Sequence, residues 1–120
     1  MRQFELRRSW RGKDIIAHVL VLDEGVHVSL YGGDRVHIGA VGIIDPDGNR
    51  TITQFPGHKE GMVCEQWMDA FVSTKIAPII VEAGIHYDHL SMIEIQEILL
   101  QTHELAEESI SIILGLSKHI

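Results

Sequence analysis

The chain has 120 residues and one cysteine, and its ten lysines and arginines against seventeen aspartates and glutamates give a net charge of −7. A chain of this length forms one domain with its own core, and the single cysteine excludes a disulfide within the chain. The acidic excess lies wholly from Lys59 onward, which argues against nucleic-acid binding by that half.

The N-terminal region and the hydropathy pattern narrow the class of protein further. The one basic cluster of any length contains Arg7, Arg8, Arg11 and Lys13. With Trp10 as its aromatic neighbour, this cluster is typical of a solvated edge strand and turn rather than of a phosphate surface. No apolar run approaches the length of a membrane span, and the N-terminus lacks the apolar stretch of a signal peptide. We therefore expect a cytoplasmic protein that binds neither membrane nor nucleic acid.

The first half of the sequence predicts five short β-strands. Apolar and polar residues alternate in several segments, whereas residues 14–22 are apolar on both parities, as in a central strand covered on both sides. Turn signals rich in glycine, proline and aspartate separate the segments. The predicted strands span residues 3–8, 14–22, 26–31, 36–44 and 50–55. Because the connections are short, we predict an antiparallel meander.

The second half predicts two helices and a sixth strand. Apolar side chains recur at spacings of three and four over residues 59–74, which indicates an amphipathic helix, and residues 79–81 form a short buried strand. Ser91 with Glu94 three positions later forms a capping box that starts the second helix. The expected fold is one α+β domain, an antiparallel β meander of five to six strands with two helices packed on the sheet. The pattern does not place the sixth strand.

Surplus apolar residues near the C-terminus widen the stripe of the second helix. Ile112 and Leu114 extend it beyond what one contact with the sheet needs. Such a surplus predicts either additional core contact or an oligomer interface.

Three glycine-containing segments each place a histidine at the end of an element. They are residues 31–44 with His37, residues 57–60 with His58, and residues 84–88 with His86. Glycines in or beside strands mark a bend, a bulge or the close approach of another group. We therefore predict that the three segments meet in space.

These histidines are candidate metal ligands. His37, His58 and His86, with Asp88 or Glu60 nearby, are ligand types that zinc or iron takes. No metal-binding motif spacing accompanies them. A small metalloprotein or metalloenzyme is therefore one alternative for the function.

An anion site at the start of the first helix is another alternative. If that helix begins near His58, the backbone N–H groups of Lys59, Glu60 and Gly61 lie at its positive end, and the Lys59 side chain adds a full charge. With the backbone of Gly39 and Gly42 exposed to a flat ligand, the site would suit a phosphorylated cofactor such as flavin mononucleotide (FMN). Alternatively the glycines only permit tight turns, and the protein is an assembly scaffold without a small-molecule ligand.

Other reactive side chains have simpler interpretations. His18 and His27 lie within predicted strands, where a satisfied core or face histidine is more common than a ligand. Cys64 lies on the first helix and is expected to pack as a small hydrophobe.

Three sequence blocks resemble the signature of a known family. They are Gly-Gly-Asp-Arg-Val-His-Ile-Gly-Ala-Val (Gly32 to Val41), Phe-Pro-Gly-His-Lys-Glu (Phe55 to Glu60) and Gly-Ile-His-Tyr-Asp (Gly84 to Asp88). In this order they are similar to blocks of the small D-subunit family of gallate-type decarboxylases, described as prenylated-flavin chaperones. The resemblance runs across almost the whole chain. It implies a fold similar to proteasome-assembly chaperones and assembly as a homodimer or higher homo-oligomer.

The resemblance implies a non-catalytic accessory protein that binds prenylated FMN, or FMN, and delivers it to a large non-oxidative decarboxylase. The cofactor-binding positions taken from the blocks are Gly33, Asp34, His37, Gly39, Gly57, His58, Lys59, Glu60, His86 and Asp88. As hypotheses, Lys59 and the helix start contact phosphate, and His37 and His86 contact the ring system. Asp34 and Asp88 orient the histidines or close turns.

Overall fold

The computed structural model describes residues 1–57 and 59–117 and has one six-stranded sheet with two helices. The strands are β1 (Arg2–Trp10), β2 (Lys13–Val21), β3 (Val26–Gly33), β4 (Arg35–Ile44), β5 (Arg50–Gln54) and β6 (Ile79–His86). The helices are α1 (Gly61–Val72) and α2 (Met92–Ser117). Every predicted strand and helix is present, and the α+β class is confirmed.

The sixth strand decides the topology of the sheet. The strand order is β1-β2-β3-β6-β4-β5, so β6 lies between β3 and β4. It runs parallel to β3 and antiparallel to β4, while the other neighbouring pairs are antiparallel. The predicted run of five consecutive neighbours is therefore interrupted, because β3 and β4 form an open hairpin whose cleft holds β6. The physical reason is that β6 is a core strand, and buried backbone needs hydrogen-bond partners on both edges.

The connection between β3 and β4 passes around the C-terminal end of β6. Gly32 and Gly33 both have positive φ, at 154° and 83°. A side chain on Gly33 would overlap with the carbonyl group of His86. That carbonyl accepts the N–H of Asp34 at 2.6 Å. The two glycines thus allow the chain to turn closely around the end of β6.

Both helices pack on one face of the sheet. Helix α1 lies against β4, β5 and β6, and α2 lies against β1 and β2. The core beneath them includes the fully buried side chains of Val28, Trp67, Phe71, Val81 and Leu105. Burial of these side chains holds the helical layer against the sheet.

The capping box predicted for the second helix is present at the start of α2. The Ser91 N–H donates to Glu94 Oε1 at 3.0 Å, and the Glu94 N–H donates to Ser91 Oγ at 3.2 Å. These bonds satisfy two backbone donors that the helix itself leaves without partners. At the other end Ile113 packs into the core, whereas Leu114 is exposed. Neither α1 nor α2 is long and apolar enough to span a bilayer.

Within the described residues, no helix covers the opposite side of the sheet, which we call the helix-free face. Ser29 and Tyr31 of β3 and Glu82 of β6 lie on this face, because the residues that alternate with them are buried against the helices. His27 lies there too, and its Nε2 is bonded to the Glu82 carboxylate. His27 is therefore a satisfied face histidine, as predicted.

Candidate functional site

The three glycine-containing segments meet beside the C-terminal end of β6. The rings of His37 and His86 lie 6.1 Å apart between centroids, at an interplanar angle of 72°. His37 Nε2 lies 2.7 Å from Glu60 Oε1. The first segment therefore contacts both of the others, and their predicted meeting is confirmed. We call His37, Glu60, His86, Asp34 and Asp88 the histidine cluster.

A β-bulge in β4 presents His37 to the cluster. The pairing of β4 with β6 is regular from Ala40 to Ile44 and shifts register between Val36 and Ala40. Gly84 of β6 faces the shifted residues, and a side chain there would overlap with the His37 carbonyl group. Glycine at this position lets the backbone of His37 approach β6, and bulges of this kind re-aim the side chains they carry.

Glu60 occupies the start of α1. It is the N-cap residue and is only 7% exposed. Its carboxylate is bonded to His37 and accepts the N–H of Lys59 at 3.0 Å. The same carboxylate lies against Gly39, where any side chain would overlap with it. Gly39 therefore makes room for a side chain of the protein itself. The expectation that Gly39 and Gly42 expose backbone to a flat ligand is wrong, because both are buried and Gly42 lies against Met68.

The start of α1 is accordingly occupied by groups of the chain. The helix begins at Gly61, two residues later than predicted, and the Gly61 N–H donates to Gln54 Oε1 at 3.0 Å. The Lys59 N–H is bonded to Glu60. A buried carboxylate at this position also disfavours a second anion. The role of Lys59 in phosphate binding stays a prediction. The group of Lys59 that is left to contact a phosphate is its exposed side chain.

A second set of bonds holds the His86 side of the cluster. Asp34 Oδ2 accepts the N–H of Asp88 at 2.9 Å, and His86 Nε2 lies 2.9 Å from Asp88 Oδ1. The bond to His86 is the main cause that lowers the pKa of Asp88, with smaller electrostatic contributions from His89 and Arg35. Asp34 thus closes the turn after β6, and Asp88 orients the imidazole of His86.

The other predicted residues lie beside the cluster. Gly57 has a φ of 79° and open space around it, so it serves an exposed turn. His58 lies outside the described residues, and with it the complete metal set of His37, His58 and His86. Among the residues that the structure does describe, no group of three or more His, Cys, Asp or Glu side chains is placed to hold a metal ion.

Arg35 is a neighbour of the cluster that sequence reasoning missed. It is exposed, pairs in register with His86 and contributes to the field that lowers the pKa of Asp88. The signal was available, because Arg35 stands inside the first sequence block directly after Asp34. An exposed guanidinium at this place is a ready partner for phosphate or carboxylate.

Cys64 is a packed residue of α1. It is buried, and its thiol donates to the carbonyl oxygen of Val81 at 3.5 Å. Burial raises the pKa of Cys64 to about 11, so the thiol is neutral at physiological pH and is a poor nucleophile. The interpretation of Cys64 as a small hydrophobe is confirmed.

Comparison with known proteins identifies the family. The family model described as the prenylated flavin chaperone LpdD-like domain matches residues 10–114. No curated protein matches the chain. The matched range includes all three segments that form the histidine cluster and all but the first strand and the end of the last helix. Because the match spans most of the sequence, this chain belongs to the prenylated flavin chaperone LpdD-like family.

Proposed function

We propose that this protein is a non-catalytic accessory protein that binds prenylated FMN and delivers it to a large non-oxidative decarboxylase. Membership of the prenylated flavin chaperone LpdD-like family supports the handling of prenylated flavin. The observation that carries the location of the binding site is the convergence of three separate segments on the histidine cluster.

The cluster supplies aromatic and polar groups suited to a flavin ring. The side chains of His37 and His86 are 20% and 33% exposed, and each is held by a carboxylate. An imidazole held in this way presents its edge and face to a ligand at a small entropic cost, because little rotational freedom remains to be lost. Partial exposure also suits a carrier, which must release its ligand to another protein.

Side-chain cations are better placed than the helix start to contact the phosphate. The N–H groups of Lys59 and Gly61 already have partners within the chain. Lys59 and Arg35 are exposed beside the cluster and carry full positive charges. We therefore assign the phosphate contact to these two side chains. The Arg35 guanidinium can form a bidentate hydrogen bond with a phosphate.

The proposal also includes the oligomeric state of the protein and its cellular compartment. We expect a cytoplasmic homodimer or higher homo-oligomer that docks on the decarboxylase. Apolar side chains of α2 that lie in water support an interface along this helix, namely Met92, Ile93, Leu100 and Leu114. Light scattering coupled to size-exclusion chromatography measures the subunit number, and a monomer at micromolar concentration would contradict the expectation.

Titration of the purified protein with FMN and with prenylated FMN, under anaerobic conditions, tests the binding step. We expect a micromolar dissociation constant, equivalent to about −8 kcal/mol. Arg35→Ala and Lys59→Ala should each weaken FMN binding by roughly tenfold, because each removes a charge-assisted bond to phosphate. Lys75→Ala, which removes an exposed lysine beyond the end of α1, is the matched control and should bind normally. A wild-type protein that binds neither flavin contradicts the proposed function.

Delivery is tested separately with an apo-decarboxylase. Protein loaded with prenylated FMN should restore decarboxylase activity faster than the same amount of free cofactor. Equal rates for loaded protein and free cofactor would contradict a delivery role while leaving flavin binding in place.

A further inference from the structure

We infer that a cavity on the helix-free face, beside the bulge of β4, receives the ring system of the flavin. The cavity has a volume of about 280 Å³ and is lined by Ser29, Tyr31, Val36, His37, Ile38 and Glu82. This inference rests on the proposed function, since it names the place where the ring would lie. None of these residues except His37 belongs to the histidine cluster.

The cavity follows from the register shift in β4. Regular pairing of β4 with β6 stops at Ala40 and resumes at Val36. The intervening residues, His37 to Gly39, leave the regular ladder, and the space beside them opens above Tyr31 and Glu82. The same bulge therefore places His37 in the cluster and opens the cavity, so His37 belongs to both.

The inner surface of the cavity carries a donor and an acceptor. Ser29 places a hydroxyl in the cavity lining, and the Glu82 carboxylate is half-buried and bonded to His27. A carboxylate has several acceptor positions, so Glu82 can accept another bond while it keeps His27. The pyrimidine edge of a flavin presents an N–H between two carbonyl groups. Glu82 matches that N–H, and the hydroxyl of Ser29 matches a carbonyl.

The walls of the cavity are apolar and exposed. Val36 is 69% exposed and Ile38 is 53% exposed, although both lie within a strand of the sheet. Tyr31 adds an aromatic ring on the facing strand. A flat aromatic ligand would remove these side chains from water and contact the ring of Tyr31, whereas a sugar or a phosphate would leave the apolar surface unused. The walls therefore favour the ring over the other parts of the cofactor.

The size of the cavity sets what it can hold. Ligand cavities have volumes of about 300 Å³ or more, and this cavity, at about 280 Å³, lies at that lower limit. It therefore has room for the flavin ring system, while the rest of the nucleotide stays outside. His37 lies at the boundary, since it lines the cavity and is bonded to Glu60. The polar tail of the cofactor would then extend past His37 toward the exposed cations assigned to the phosphate.

Binding of riboflavin, which has the ring but no phosphate, separates this inference from the phosphate assignment. Ser29→Leu fills the cavity and removes its donor, so it should weaken the binding of both riboflavin and FMN by at least tenfold. Lys59→Ala should weaken FMN binding and leave riboflavin binding unchanged. Thr53→Leu places the same new side chain on an exposed position of β5 outside the cavity, and should bind both ligands within twofold of wild type.

A second variant guards against misfolding of Ser29→Leu. Ile38→Ser changes an exposed side chain, so the fold should persist, and it should weaken riboflavin binding by roughly fivefold because apolar contact with the ring is lost. If the wild type binds flavin and both cavity variants bind it within twofold of wild type, the ring lies elsewhere and the inference is wrong, while the proposed function stands. If the wild type binds no flavin, both fail together.

Discussion

The helix-covered face of the sheet and the histidine cluster are held together by different forces. On the covered face, apolar side chains such as Phe71 and Leu105 are fully buried. In the cluster, carboxylates, imidazoles and glycine backbone are joined by short polar contacts, and several side chains reach water. Apolar burial depends mainly on area and volume, whereas a bonded cluster depends on the position of each group. The covered face supplies stability, the cluster is the region that we propose for recognition, and the glycines of β4 and β6 connect the two.

The largest effect is expected on the covered face. Phe71→Ala removes a fully buried aromatic side chain of α1 and should lower the free energy of unfolding by about 4 kcal/mol, because it loses buried area and leaves a cavity. Urea denaturation measures this change. The neighbouring exposed residue gives the control, since Val72→Ala should change stability by less than about 0.5 kcal/mol. Altered flavin affinity of the folded Phe71→Ala protein would break the proposed division between the regions.

Gly84→Ala tests whether the glycines of the site also support the fold. The added methyl group would overlap with the His37 carbonyl, so β4 and β6 must separate locally, and we expect a loss of about 3 kcal/mol. Gly115→Ala is the matched control, because that glycine lies in α2 with open space around it, and alanine there should stabilise the helix by about 0.5–1 kcal/mol. Equal stability of Gly84→Ala and wild type would show that the bulge does not need glycine.

Glu60→Gln separates the charge of the cluster from its shape. The amide retains the size of the carboxylate but loses charge-assisted bonds to His37 and to the Lys59 N–H, so thermal or urea unfolding should show a loss of about 1–2 kcal/mol. FMN affinity should also fall, because His37 is no longer held in place. Glu65→Gln on the exposed side of α1 should leave both quantities unchanged. If the Glu60→Gln protein is as stable as wild type, the charge of Glu60 does not stabilise the cluster.

The smallest expected change is at Cys64, on the covered face. Because burial raises the pKa of its thiol to about 11, a thiol reagent at pH 8 should react with unfolded protein and scarcely with native protein. The folded state favours the neutral thiol. Its contribution to stability is therefore complete below the ordinary pKa of 9.0 and is lost as the pH rises from there to about 11. Cys64→Ala should lack this part of the alkaline pH dependence, and rapid labelling of native protein would contradict the burial.

Sequence reasoning predicted the elements better than their arrangement. The capping box of Ser91 and Glu94 and the apolar spacing around Trp67 are local signals, and both predicted the right helices. The glycine and histidine blocks correctly predicted a meeting of three segments. The start of α1 was predicted two residues too early. Glu60 is a buried N-cap residue only because Gly39, in the distant strand β4, leaves space for its carboxylate.

By itself, the sequence determined the α+β class and the helices and strands, because periodicity, caps and turns act between residues close in the chain. The glycine-flanked histidines also indicated which three segments meet, although Arg35 and the cavity residues were missed. Only the tertiary structure decided that β6 lies between β3 and β4, that Glu60 occupies the start of α1, and that a cavity opens beside Tyr31. Each of these depends on packing between residues far apart in sequence, such as Gly84 against His37, and no local pattern specifies which distant partner a residue meets.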